Sequence, residues 1–225
     1  MPASGGIERR VSTWPQAPFT ESFDNGAVDS SLWHTISDPG GSIGVSGGRL
    51  VASISASAVP GGQYNQVDEH IGSQCSLNGD FDYQVDYSLV TWPDFGGFFA
   101  TLSAFFADGA VARSSSPYNA PYNQQYQSWM TGGAGSFTTA DTSGTFRLVR
   151  TNGILSSYVR SASVPDWRLV ASGSAPSSTV YGFGLSEPGN TFTHQDASVA
   201  YDNFRLNSGA VTCPSWWQDL APDAS

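Results

Sequence analysis

Lysine is absent from this chain of 225 residues, and glutamate occurs at only Glu8, Glu21, Glu69 and Glu187. Charged residues of every kind make up 12% of the sequence, about half the share of an ordinary soluble domain. The nine basic residues are all arginine and are spread thinly, against 19 acids and a formal net charge of −10. Without a basic stripe the chain cannot neutralise a row of phosphates, which argues against nucleic acid as a partner. An anionic membrane surface is disfavoured for the same reason. Apolar runs are short, far from the roughly 18 residues a membrane-spanning helix needs, so no membrane insertion is expected. The scarcity of Lys and Glu, with Gly, Ser and Thr throughout, excludes long helices. Only Cys75 and Cys213 are present, outside any C-x-x-C or Cys/His spacing, so a zinc site is not expected. A Cys75–Cys213 disulfide and two buried free thiols both fit the sequence.

What the chain does contain is 39% hydrophobic residues, 25 glycines and 13 prolines. Phe81-Asp-Tyr83-Gln-Val85-Asp-Tyr87-Ser-Leu89 alternates apolar and polar residues without a break, the mark of a strand with one dry and one wet face. Asn78-Gly79 ahead of it reads as a turn, and Gly47-Gly48 and Asn152-Gly153 read as two-residue hairpin loops. Further strands are expected at 19–24, 42–46, 49–55, 63–70, 97–106, 124–130, 145–150, 154–161, 168–172, 180–185 and 198–206. So many short strands, punctuated at intervals of about 8–12 residues, predict an all-β sandwich or jelly roll of antiparallel sheets. An N-terminal arm (1–18), a sandwich (19–208) and a C-terminal tail (209–225) carrying Trp216 and Trp217 are expected. The arm holds Arg9 and Arg10 with no apolar stretch behind them, so no signal peptide is expected in this chain.

Three segments in order carry a resemblance. Phe19-Thr-Glu21-Ser-Phe23-Asp24 with Leu32-Trp33, then Ile43-Gly-Val45-Ser-Gly-Gly48-Arg49-Leu50, then Val199-Ala-Tyr201-Asp202-Asn203-Phe204-Arg205-Leu206, resemble the first strand, the hairpin and the last strand of concanavalin A-like lectin/glucanase domains. The resemblance brackets nearly the whole chain and implies a concanavalin A-like jelly-roll sandwich. It also implies one structural calcium, held by Glu21 or Asp24, the Gly48 carbonyl and Asp202. The apolar parity breaks at Asp202-Asn203, which predicts a bulge that re-aims the aspartate.

Catalysis is not expected. Glucan-cleaving relatives place two Glu on a Glu-x-Asp-x-x-Glu strand, and none of the four Glu here is spaced that way. Tyr122-Asn123-Gln124 is similar to a fragment of alginate lyases, but the accompanying Arg-rich strand and Gln-Ile-His are missing. In Asp68-Glu69-His70, strand alternation lets Asp68 and His70 share a face while Glu69 points away. Gly44-Val-Ser46-Gly-Gly48 matches G-x-S-x-G by chance, because it spans a hairpin rather than a strand-to-helix elbow. The distinctive stretch runs from Ser116 to Trp129, where aromatic rings interleave with amides. Rings stack on the C–H face of a sugar while amides bond its hydroxyls in both directions. Trp92, Tyr118, Tyr122, Asn123, Gln125, Tyr126 and Trp129 are the expected glycan-binding residues. The same face would suit a protein neighbour. Similar modules occur in minor tail proteins of actinobacteriophages, which implies an extracellular or virion location and virion or assembly proteins as partners. The alternative is a polysaccharide lyase or glycoside hydrolase of the same fold.

Overall fold

A computed structural model describes residues 16–61, 65–105, 109–116 and 124–213. Its strands, in chain order, are β1 (Phe19–Glu21), β2 (Trp33–Ser37), β3 (Gly41–Ser46), β4 (Arg49–Ile54), β5 (Gln66–Ser73) and β6 (Ser76–Thr91). Next come β7 (Phe99–Ala104), β8 (Gly109–Ser115), β9 (Gln124–Met130), β10 (Gly133–Thr138) and β11 (Ser143–Thr151). The chain closes with β12 (Ile154–Ser161), β13 (Arg168–Ser174), β14 (Ser178–Thr179), β15 (Tyr181–Pro188) and β16 (Ala197–Thr212). Two antiparallel sheets result. One has nine strands, with β13-β12-β11-β6-β16-β4-β3 in line, β1 beside β16 and β14 beside β6; the other has seven, ordered β10-β9-β8-β7-β15-β5-β2. This is the expected jelly-roll sandwich.

Alternation decides which side of each strand is dry. Phe81, Tyr83, Val85 and Tyr87 of β6 are buried between the sheets, as their odd spacing requires. Trp33, Tyr181 and Phe204 meet them, with Trp33 edge-on to Phe204 at 5.1 Å and Tyr181 stacked on Phe204 at 5.3 Å. Such ring pairs contribute about 0.5–1.5 kcal/mol each beyond the area they bury. The hairpin loops at Gly47-Gly48 and Asn152-Gly153 all take positive φ (59°, 72°, 51° and 82°), which matches the right-handed twist of the flanking strands.

Asn78-Gly79 behaves differently from its sequence signal. Here β6 runs straight through the pair, Gly79 takes φ 70°, and the register against β16 shifts between Asp82 and Asn78. The dipeptide makes a bulge, because strands β14 and β16 on either side hold the backbone extended. Strands β2, β8 and β10 give no alternation signal. Gly109–Ser115 and Gly133–Thr138 are mostly small residues, apart from Val111, Arg113 and Phe137, and pairing partners rather than patterning fix them as strands. The last strand runs beyond Ser208 to Thr212. There Thr212 pairs with Ser76, which places Cys213 opposite Cys75, and the two are joined in a disulfide.

Candidate functional site

The outer face of the seven-stranded sheet is built by register. Gln125 of β9 lies beside Ser114 of β8, Ser114 beside Phe99 of β7, Phe99 beside Ser186 of β15, and Ser186 beside Asp68 of β5. Neighbouring rows place Gln127 beside Ala112, and Trp129 beside Ala110. Strand β8 therefore presents only small side chains outward, between bulky ones on β9 and β7, and a furrow forms over it. Trp129 is 41% exposed and meets Phe99 edge-on at 5.9 Å across this gap.

Two hollows result, of about 260 and 330 Å³, and they share Phe99, Gln127 and Pro188. The first extends toward Ser114, Gln125, Asn190 and Thr191, and the second toward Gln66, Trp129 and Ser186. They form one groove across β9, β8, β7, β15 and β5, about 19 Å wide at the usual strand spacing. Gln125 Nε2 donates to Gln127 Oε1 at 3.1 Å, which fixes both amides along the strand.

The walls are pinned from beneath. Trp92 is half-buried against Phe98 and donates through Nε1 to Gln124 Oε1 at 3.1 Å. Gln124 Nε2 in turn donates to the carbonyls of Pro93 and Asp94, so this trio locks the loop ahead of Gly97. Glu187 points inward from β15, fully buried, and its Oε1 accepts from Thr193 N–H at 2.9 Å and from Thr193 Oγ1 at 3.1 Å. Burial raises its pKa despite these donors. This carboxyl thus fastens the loop after β15 that borders the groove.

At the far end, Gln66 donates to Asp68, Asp68 Oδ1 lies 3.3 Å from His70 Nδ1, and His70 Nε2 lies 3.1 Å from Thr101 Oγ1. Asp68 and His70 share the outer face and Glu69 is buried on the inner one, as alternation requires. Gly184 of β15 leaves room for this strand and ring: a Cβ there would collide with the Glu69 carbonyl oxygen and sit 2.7 Å from His70 Cδ2.

Glu69 carries a consequence for stability. It is fully buried, accepting from Ser37 Oγ at 2.7 Å and Asp38 N–H at 3.0 Å, and burial pushes its pKa from 4.5 to about 7. Below pH 4.5 the group is protonated whether folded or unfolded and costs nothing. As pH rises toward 7 the unfolded chain ionises first, so folding loses stability, and the loss is complete above about pH 7. Wild type is therefore expected to lose about 1–3 kcal/mol relative to Glu69→Gln between pH 4.5 and pH 8. Denaturant melts of both proteins at the two pH values check this, and parallel curves would refute it.

Of the glycan-binding residues expected from sequence, Gln125 and Trp129 line the groove, and Trp92 stands behind its wall. Tyr126 lies on the opposite face of β9, completely buried. Its hydroxyl meets that of Tyr87 at 2.7 Å and donates to Asp141 Oδ2 at 3.2 Å, so it belongs to the core. Tyr118, Tyr122 and Asn123 fall outside the described residues. Phe99, Gln127 and Gln66 were missed. Gln127 shares the parity of Gln125 and was legible on that ground, whereas Phe99 and Gln66 reach the groove only through strand order.

The expected calcium ligands meet in part. Asp24 Oδ1 lies 3.1 Å from where a Cβ on Gly48 would stand, so Asp24 and the hairpin do converge. The bulge expected at Asp202-Asn203 is present, with Asn203 at φ 49° and a register shift before Arg205. Glu21 Oε1, however, accepts the N–H of Phe23, and Asp202 Oδ1 accepts that of Asn203. Among the described residues, no three Asp, Glu, His or Cys side chains gather as a metal site.

Fold and topology together define a concanavalin A-like jelly roll. A prokaryotic β-1,3-1,4-glucanase (lichenase) from a mouse hindgut metagenome is similar over 84% of this chain and 98% of its own, at TM-score 0.59 and 13% identity. Lectin I-B4 from Griffonia simplicifolia is similar over 86% of this chain and 99% of its own, at TM-score 0.55 and 12% identity. The exoplasmic/lumenal domain of VIP36, in its Ca2+/Man3GlcNAc-bound form, covers 84% and 90% at TM-score 0.53 and 11% identity. At such identities the likeness establishes the fold. No sequence-family model matches the chain, and no curated protein matches it.

Proposed function

We propose that this chain is a non-enzymatic, lectin-like module whose glycan lies along the outer face of the seven-stranded sheet. The observation that carries the reading is the continuous groove in which Trp129 and Phe99 stand among Gln66, Gln125 and Gln127. Exposed rings offer a stacking surface, and the amides supply donors and acceptors for hydroxyls. A glycan array tests it: binding of a defined oligosaccharide supports the reading. An array blank throughout, with a protein neighbour retained on the same face, would turn it into an assembly surface.

The second reading, a polysaccharide-cleaving enzyme, draws on the Asp68–His70–Thr101 chain at the groove end. Hydrolysis of a glycosidic bond ordinarily uses two carboxyl groups facing one another across it. Asp68 is the one acid pointing outward from the described seven strands, since Glu69 and Glu187 point inward. Incubation with the protein is therefore expected to leave polysaccharide viscosity unchanged.

A calcium ion is proposed at the Asp24–Gly48 corner, with Glu21 and Asp202 as further oxygen donors. Chelator should then lower the melting midpoint, and an unchanged midpoint sinks the site. Placement at an extracellular or virion surface completes the proposal, with the sandwich expected over 19–208 carried on to Thr212 by β16. It rests on the resemblance to phage tail modules.

A further inference from the structure

Building on the glycan-binding reading, we infer that the ligand of this groove is a neutral polysaccharide chain, bearing neither uronate nor sulfate groups. The two sheets divide the charge between them. Arg49, Arg147, Arg150, Arg160, Arg168 and Arg205 all lie on strands of the nine-stranded sheet. Several are already engaged there: Arg147 is paired with Asp82 at 2.6 Å, and Arg147 and Arg160 lie 5.2 and 4.7 Å from the Trp167 ring centre. The seven-stranded sheet carries one arginine, Arg113, and it points into the sandwich, 2% exposed. Arg113 donates to the carbonyls of Ser114 and Asp141 at 2.8 and 3.0 Å, so it cannot swing out to a ligand without abandoning buried acceptors.

The groove face therefore holds no permanent cation among the described residues. Its titratable groups are Asp68, His70 and His34, and burial lowers the His34 pKa, keeping that ring neutral at pH 7 and above. Asp68 is half-buried and bonded to both Gln66 and His70, so a carboxylate stands where a polyanion would pass. The loop ahead of Gly97 adds Asp94, whereas Asp196 accepts the N–H of Ala56 and lines a separate hollow. A uronate or sulfate chain would lose its water to amides and one carboxylate, within a chain whose net charge is −10. A neutral chain meets the same amides without that penalty. Because the groove crosses five strands, it suits an internal stretch of a polymer rather than a single terminal sugar.

The experiment is affinity electrophoresis and calorimetry with the whole chain at pH 7.5. Neutral probes are barley β-glucan, laminarin and yeast mannan; anionic probes are alginate, polygalacturonate and heparin. A neutral polymer is expected to bind at least about ten-fold more tightly than any anionic one, with affinity unchanged by salt. Tighter binding of an anionic polymer, weakened by salt, overturns the inference and leaves the glycan-binding reading standing. Failure of all six probes counts against both. Equal affinity for a hexasaccharide and its monosaccharide would overturn the chain-binding part alone.

Discussion

Trp129→Ala is expected to weaken glycan binding by roughly 30-fold or more, about 2 kcal/mol, while leaving the fold intact. Trp129 is the most exposed ring in the groove, at 41%, and it points outward from β9 against Phe99. Truncating it removes a stacking surface but opens no cavity between the sheets, so its melting midpoint should stay within about 2–3 °C of wild type. Tyr126→Phe, three positions earlier on the same strand, should behave in the opposite way. That variant keeps the groove but removes the hydroxyl between Tyr87 and Asp141. Leaving buried partners unmatched costs about 1–3 kcal/mol, so stability falls while affinity holds. Titration of both variants against the best array ligand, with melts in parallel, separates the two faces of one strand. Unchanged affinity in Trp129→Ala would place the ligand elsewhere.

The largest effect on stability is expected from removing the Cys75–Cys213 bond, whose partners are 138 positions apart. A cross-link closing so long a loop is worth about 5 kcal/mol in the chain-entropy model. The double variant Cys75→Ser, Cys213→Ser should therefore melt roughly 10–20 °C below wild type. The bond fastens the end of β16 to the start of β6, the central pair of the nine-stranded sheet. A shift below about 2 °C, with the bond verified by mass in wild type, would mean that the pairing of Thr212 with Ser76 already holds this end of the sheet.

The groove's amides and aromatics were partly legible because β9 is short and strictly alternating. Gln125, Gln127 and Trp129 fall on one parity and Tyr126 on the other. Sequence reasoning grouped Tyr126 with the binding residues because composition along a stretch does not say which face is dry. The buried Tyr87 and Phe146, stacked at 4.3 Å, decide that. The Asp202-Asn203 bulge was legible because a strand that continues on the opposite apolar parity must take up one extra residue where the parity changes. Asn78-Gly79 misled for a complementary reason: its positive-φ glycine suits a bulge as well as a turn, and only neighbouring strands choose between them.

The sequence by itself determined the class. Without lysine, with four glutamates and with short alternating segments, this chain lacked the makings of long helices, and it had to bury one side of many strands. None of its four glutamates falls at Glu-x-Asp-x-x-Glu spacing. Which strands became neighbours was decided by tertiary structure alone, because register depends on partners far apart in the chain. That choice set Phe99 and Gln66 beside Gln127, put small residues of β8 between large rings, and brought Cys75 to Cys213. It also left six arginines on one sheet and a face without lysine or outward arginine on the other, a division that composition cannot express.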